Sequence, residues 1–303
     1  MTPLSKREVL IVEVESPMVN DRSSVLIGII KYMATSRVVK MATILNLELC
    51  ALSHYLSIII PAYNEARRLP RTLSETISFL EVQSFTSEII VVTDGSTDET
   101  VAVAESFASR FSDLRVISFA GNKGKGFSVK TGMLAARAKY RLFMDADYAV
   151  PVQTVLTLLE SVKDGFDIVI GSRAMADSVI LVQQGFIRRQ LTKVFSVLQD
   201  ATLGLPFEDT QCGFKLFTAA AAELYFPQVT FDCAYFDAEL LYVAHNAGAR
   251  IAQVPITWQH DHETRLPIGM KRSIDLARKM FAIPRIHAHL GQSAARQLEN
   301  VSR

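Results

Sequence analysis

From Tyr55 onward the chain alternates short apolar runs with stretches that repeat apolar residues at helical spacing, and this alternation constrains its fold more than any other feature. Leu56 to Ile60 is rich in β-branched residues and is stopped by Pro61, which has no N–H for a sheet ladder. Glu88 to Val92, Leu114 to Phe119, Tyr140 to Met144, Asp167 to Ile170 and Ile251 to Trp258 read as further strands. Between them, Leu69, Leu73, Ile77 and Leu80 mark a helix over Leu69 to Val82. A second helix is predicted over Thr97 to Phe111, with Thr97 as N-cap and Asp98 and Glu99 in a first turn that favours negative charge. Others fall near Phe127 to Ala138, over Val152 to Val162, over Val182 to Leu203, over Glu239 to Asn246 with Gly248 closing it, and over Met270 to Phe281. Strands that read as near-continuous apolar runs, joined by helical crossovers, predict an α/β fold with a mostly parallel central sheet and helices on both faces.

A chain of 303 residues can bury a core of this size. With 49% hydrophobic residues, 21% charged residues and a net charge of +1, it is neither disordered nor attracted as a whole to nucleic acid. Its three cysteines, Cys50, Cys212 and Cys233, lack C-x-x-C spacing, which argues against a disulfide framework or structural zinc and fits a reducing, cytoplasmic setting. No run of about 18 apolar residues occurs, so the chain is not expected to span a membrane. Residues 1–53 carry apolar patches but no motif and no signal-peptide order, and are read as an N-terminal extension. The catalytic domain is expected over 54–285 and a tail over 286–303.

Chemistry-bearing residues collect at the carboxyl ends of successive strands. Pro61-Ala62-Tyr63-Asn64-Glu65 follows the first, Thr93-Asp94-Gly95-Ser96 the second, Gly121 to Gly126 the third, Asp145-Ala146-Asp147 the fourth and Gly171-Ser172-Arg173 the fifth. Open α/β sheets bind ligands there. Asp94-Gly95 alone could be a turn and Glu65 alone a first-turn helix carboxylate, but five such ends in succession define one site. At the tip of the fourth strand Asp145 and Asp147 can both reach one hard cation, Mg²⁺ or Mn²⁺, that would carry a diphosphate. The glycine loop is not a P-loop, because Phe127 stands at the lysine position, and G-x-x-G-x-G after a third strand is not a dinucleotide fingerprint.

These clusters, together with Asp209-Thr210-Gln211-Cys212-Gly213-Phe214-Lys215-Leu216-Phe217, resemble the inverting glycosyltransferases of the GT-A fold. The nearest branch is the dolichyl-phosphate glucosyltransferases and their bacterial polyprenyl-phosphate counterparts, over about Leu56 to Phe281. The resemblance implies a nucleotide-sugar donor, UDP-glucose, and a polyprenyl-phosphate acceptor. It implies that Pro61, Tyr63, Glu65 and Asp94 bound the nucleoside, that Lys125 lies near it, and that Asp145, Ala146 and Asp147 hold the diphosphate, the two aspartates through the metal. Two positions depart from the family: Thr93 stands where an aspartate is usual, and Ala149 where some relatives carry a further polar metal ligand.

Cleaving a sugar–diphosphate bond requires neutralising the leaving phosphates, and an acceptor phosphate, already anionic, needs alignment rather than a strong base. Arg173 and Lys215 are expected to cradle that phosphate, with Arg188 and Arg189 as second choices and Asp147 required for turnover. Asp209 is the candidate base if the acceptor is a hydroxyl, or else a buttress for Lys215 or a backbone turn. Trp258, His260 and Arg265 would close the site; His260 to Glu263 only superficially resembles a metal cluster. The basic amphipathic stretches Val182 to Leu203 and Met270 to Phe281 suit reversible contact with the cytoplasmic face of an anionic membrane, or ordinary packing. Two other readings stand beside this one: transfer to a saccharide or glycolipid hydroxyl, and a nucleotide-sugar-binding protein without catalysis.

Overall fold

The computed structural model describes residues 53–182, 197–259, 270–288 and 290. All of them belong to one unit, Leu52–Arg303, and the extension expected over 1–53 lies almost wholly outside them. Arg188, Arg189, His260, His262 and Arg265 lie outside them as well, as does most of the helix predicted over Val182 to Leu203, of which 197–203 is helical.

The chain runs β1 (His54–Ala62), α1 (Leu69–Glu81), β2 (Ser87–Asp94), α2 (Thr100–Ser106), β3 (Leu114–Phe119), α3 (Lys125–Ala135), β4 (Ala138–Met144), α4 (Val155–Lys163), β5 (Ile168–Ser172) and β6 (Val179–Val182). It continues through β7 (Phe214–Thr218), α5 (Ala219–Tyr225), α6 (Phe236–Asn246), β8 (Ile251–Pro255), β9 (Thr257–Gln259) and α7 (Met270–Ile286). Seven strands form the central sheet in the order β3-β2-β1-β4-β7-β5-β8. β7 is antiparallel to both neighbours, and the remaining pairings are parallel.

Burial on both faces explains why the strands read as apolar runs. Leu56, Ile58 and Ile60 of β1 face Leu69, Leu73, Ile77 and Leu80 of α1, with Leu158 and Val162 of α4 in the same cluster. Ile59 faces the other way, with Val92 and Phe143, onto Val129 and Met133 of α3 and Leu240 and Leu241 of α6. Each such fully buried side chain contributes roughly 1.5–3 kcal/mol. Helix α3 comes so near the sheet that a Cβ on Gly132 would lie 2.4 Å from Ile59 Cγ2.

The strand order reverses at β1. Connections from β1 step outward through β2 to β3, and the chain then returns to place β4 on the opposite side of β1. This switch point opens a crevice between the carboxyl ends of β1 and β4, the place where such sheets take ligands. Residues 61–65 and Asp145–Asp147 stand on its two sides.

Several elements differ from expectation for local reasons. Helix α2 starts at Thr100, not Thr97, because Asp98 caps the turn by accepting from Thr100 N at 3.1 Å while Thr97 N donates to Asn64 Oδ1 at 2.7 Å. The strand predicted over Ile251 to Trp258 breaks at Pro255 into β8 of the large sheet and β9, which pairs with β6. Helix α7 continues beyond 285, and His287 and Leu290 pack against the core, so the tail expected from 286 begins as part of the folded unit.

Candidate active site

The loops after β1, β2 and β3 are tied to one another chiefly through main-chain groups. Asn64 adopts φ 55°, turning the chain after the exposed Tyr63. Its N–H donates to Ser96 Oγ at 3.0 Å, while Glu65 N donates to Thr100 Oγ1 at 2.7 Å and Ala66 N to Asp98 Oδ2 at 3.2 Å. Asp94, 3% exposed, accepts from Lys123 N at 2.8 Å and Gly124 N at 2.6 Å, so it shapes the glycine loop. Gly95, at φ 69°, allows the two loops to touch: a Cβ there would lie 2.5 Å from the Gly121 carbonyl carbon.

The glycine loop delivers Lys125 to the fourth strand end, where its Nζ lies 2.6 Å from Asp145 Oδ1. Burial works against that ammonium, but Asp145 and then Asp237 outweigh it and hold the Lys125 pKa above its usual value. Asp145 is fixed by its own N–H, which donates to Gly213 O at 3.1 Å, and its carboxylate lies over Gly213, where a Cβ would come within 2.1 Å of Oδ2. Ala146 is buried and its carbonyl accepts from Thr72 Oγ1 at 2.7 Å, anchoring the turn to α1. Asp147 accepts from Ala149 N at 3.1 Å.

Asp147 carries the site's uncompensated charge. Burial, then the neighbouring charge of Asp145, push its pKa up to about 6, against partial relief from Ala149 N, Arg68 and Lys125. Two partly exposed carboxylates that repel each other suit a hard divalent cation, which accepts one or two carboxylates and completes its shell with phosphate oxygens and water. Among the described residues no cluster of three His, Cys, Asp or Glu side chains forms a metal cage.

On the far side of Asp145 the charges are paired side chain to side chain. Arg173 forms a fork on Asp209, Nε to Oδ2 at 2.6 Å and Nη2 to Oδ1 at 2.8 Å, and its main-chain N–H donates to the same carboxylate at 3.0 Å. Its guanidinium stands 5.5 Å from the Trp258 ring centre, and Trp258 lines a small cleft with Asp145, Ala149, Cys212 and Gly213. Burial would raise the Asp209 pKa, but Arg173 overcomes it and holds that carboxyl below its usual value. Burial pushes the Cys212 thiol up to about 12, leaving it inert.

Lys215 requires a correction. It lies on β7 between β4 and β5, is 0% exposed, and its Nζ contacts Asp237 Oδ1 and Cys212 O, both at 2.5 Å. An enclosed ammonium committed to those partners supports the floor under Gly213 and Asp145 rather than touching an acceptor. Asp209 buttresses Arg173 rather than Lys215 and also holds a backbone turn by accepting from Gln211 N at 3.1 Å, and a carboxylate held ionised in this way is a weak proton acceptor. Glu65 turns back to pair with Arg68, Nε to Oε2 at 2.5 Å, so its carboxylate supports the cation that acts on Asp147 instead of standing free.

Of the expected residues, Lys125, Asp147 and Arg173 stand near Asp145. The charge of Asp145 is felt by Lys125, Asp147, Arg173, Cys212 and Asp237, which come from five different segments. Sequence reasoning missed Arg68, which sits just before α1 and reads as an ordinary surface charge, and Asp237, which reads as a first-turn helix carboxylate.

A sheet with this switch point, an Asp-x-Asp turn at the end of β4 and a guanidinium facing it after β5 define a GT-A glycosyltransferase. A profile of the family described as glycosyl transferase family 2 matches residues 57–226, and the chain belongs to that family. It is 36% identical over 243 residues to a dolichyl-phosphate beta-glucosyltransferase of Dictyostelium discoideum, covering 76% of this chain and 73% of that one. It is 34% identical over 247 residues to the protein of the same name in Saccharomyces cerevisiae, covering 76% and 74%. Among solved structures, glucosyl-3-phosphoglycerate synthase of Mycobacterium tuberculosis with UDP matches with a TM-score of 0.55 at 19% identity, covering 81% of this chain and 83% of that one. Its complex with Mn²⁺, UDP and glucosyl-3-phosphoglycerate gives 0.54 at 19% identity, covering 78% and 81%. At that identity the likeness concerns the fold.

Proposed function

We propose that this glycosyltransferase moves glucose from UDP-glucose to a dolichyl or other polyprenyl phosphate, with Mg²⁺ or Mn²⁺ held by Asp145 and Asp147. The observation that carries the reading is two carboxylates at the end of β4, of which Asp147 is short of positive charge, and within reach of Asp145's charge an arginine oriented by a buried aspartate. The names of the relatives supply the donor sugar and acceptor class. A divalent ion at the carboxylates supplies charge neutralisation for the departing diphosphate.

The chain's own residues do the rest. Pro61, Tyr63 and the turn built on Asp94 bound the nucleoside, and Lys125 presents an ammonium to the diphosphate from the amino end of α3, where the helix also favours negative charge. Arg173 has five N–H donors, and its fork on Asp209 uses two side-chain donors, so the guanidinium can still align an acceptor phosphate. Holding reactants in line is worth several kcal/mol without proton transfer. The state of Asp209 favours this acceptor over a hydroxyl: a hydroxyl needs a base, and Arg173 keeps Asp209 a poor one.

Among the described residues no helix is long and apolar enough to cross a membrane. A lipid acceptor would bring the site to a bilayer surface. Incubation of the full chain with labelled UDP-glucose and Mn²⁺, against dolichyl phosphate and against free saccharides, tests the reading. Label in the lipid phosphate fraction that disappears with a chelator is expected. Label only in saccharide, or metal-dependent UDP binding with no transfer to any acceptor, would overturn it.

A further inference from the structure

Gly124 and Gly126 of the 121–126 loop are demanded by contact with protein. A Cβ on Gly124 would lie 2.2 Å from Asp232 O, and one on Gly126 would lie 2.5 Å from Phe231 O. Asp232 O accepts from Gly126 N at 2.8 Å and Phe127 N at 3.3 Å, taking up first-turn donors of α3 that have no partner inside the helix. The stretch 231–232 is therefore the mould against which Lys125 is set, 2.6 Å from Asp145.

What holds the mould is Glu239 of α6, which is 0% exposed. Its Oε1 accepts from Thr230 N at 3.0 Å and Thr230 Oγ1 at 2.6 Å, and its Oε2 from Phe231 N at 2.8 Å. The remaining contact comes from the far end of the described chain: His287, 3% exposed and just beyond α7, places Nε2 2.8 Å from Oε1. A carboxylate so surrounded by donors is an acceptor toward the imidazole as well. Each link is a direct contact: His287 to Glu239, Glu239 to 230–231, 231–232 to Gly124 and Gly126, and the loop to Lys125.

We propose that Glu239 and His287 are positioning residues for the donor subsite, through which the C-terminal helix sets the placement of Lys125. The proposal rests on the reading of Lys125 as a diphosphate contact. It makes the docking of α7, remote in sequence from every motif, a determinant of donor affinity.

The test measures binding of UDP with Mn²⁺ to the full chain by calorimetry, in His287→Ala, Thr230→Val, Lys125→Met and the doubles with Lys125→Met. His287→Ala and Thr230→Val should each weaken UDP binding on the order of fivefold, coupling of the size found between residues in one network. His287→Gln, which keeps an N–H donor, should recover most of the loss. On the Lys125→Met background neither change should weaken binding further. If Lys125→Met weakens binding but His287→Ala and Thr230→Val do not, or if they weaken it equally on both backgrounds, the positioning role is wrong while the donor site stands. Unchanged binding in Lys125→Met would instead overturn the donor assignment of Lys125, and the proposal with it. Thr230→Val keeps the measurement decisive should His287→Ala fail to fold.

Discussion

The loops after β1 to β4 rely mostly on side-chain oxygens that hold main-chain N–H groups, whereas the segments from β5 to β9 carry the most deeply buried ion pair. In the first group, side-chain oxygens hold main-chain N–H groups: Asp94 on Lys123 and Gly124, Asn64 on Thr97, Asp98 on Ala66. Asp147, beside Asp145, has Lys125 and Arg68 as its cationic relief. In the second group, charged side chains hold each other: Arg173 with Asp209, Lys215 with Asp237. In the first region Asp147 is short of positive charge; in the second the charges are neutralised in pairs. A metal-bound donor suits the former, and an anion that must be aligned suits the latter.

The largest effect is expected where the contrast is sharpest. Asp147→Asn should lower turnover by at least about 10²-fold, the size seen when a group stabilising developing charge is removed. The metal-free protein should unfold at the same or higher temperature, because the ionised carboxylate is disfavoured where it stands. Normal activity in this variant would erase the distinction between the regions. Next comes Lys215→Met, which leaves Asp237 buried and unpaired; breaking such a pair costs about 3–5 kcal/mol, measured by urea denaturation. Stability within 1 kcal/mol of the parent, an allowance of about the usual error of such comparisons, would show that the pair is not structural.

Arg173→Lys is smaller and more selective. A lysine cannot reproduce the fork on Asp209, so the acceptor KM should rise roughly tenfold while UDP binding is kept, in steady-state kinetics with dolichyl phosphate varied. A rise in donor KM alone would move Arg173 into the first region. The mildest is Asp209→Asn. Because the folded state holds the Asp209 pKa low, its contribution is present above the ordinary aspartate value near 3.9 and fades as pH falls from there through the folded value. The variant should lose stability at neutral pH and show a shallower acid limb in a pH series of melting curves; an acid limb as steep as the parent's would contradict the pairing.

The same contrast explains what could be read in advance. The first half is built from consecutive β-α units whose partners are neighbours in sequence, so Leu114 to Phe119 and the strand ends with Asp94 and Asp145 were legible from local pattern. Lys215 was not. Its burial depends on β7 slipping antiparallel between β4 and β5, two strands with which it is not consecutive, and Phe214–Thr218 reads as motif before it reads as strand. The pairing of Glu65 was not legible either, because nothing in the local pattern marks Arg68, one turn on, as its partner. The small β6–β9 pair has too few residues to show a period.

The central claim is that Asp145 and Asp147 hold the divalent ion that carries the donor diphosphate. Titrating UDP into the full chain with Mn²⁺, with chelator, and in Asp145→Asn/Asp147→Asn tests it most directly. Binding that requires Mn²⁺ and is lost in the double variant is the predicted result; UDP binding of equal strength in all three would contradict it.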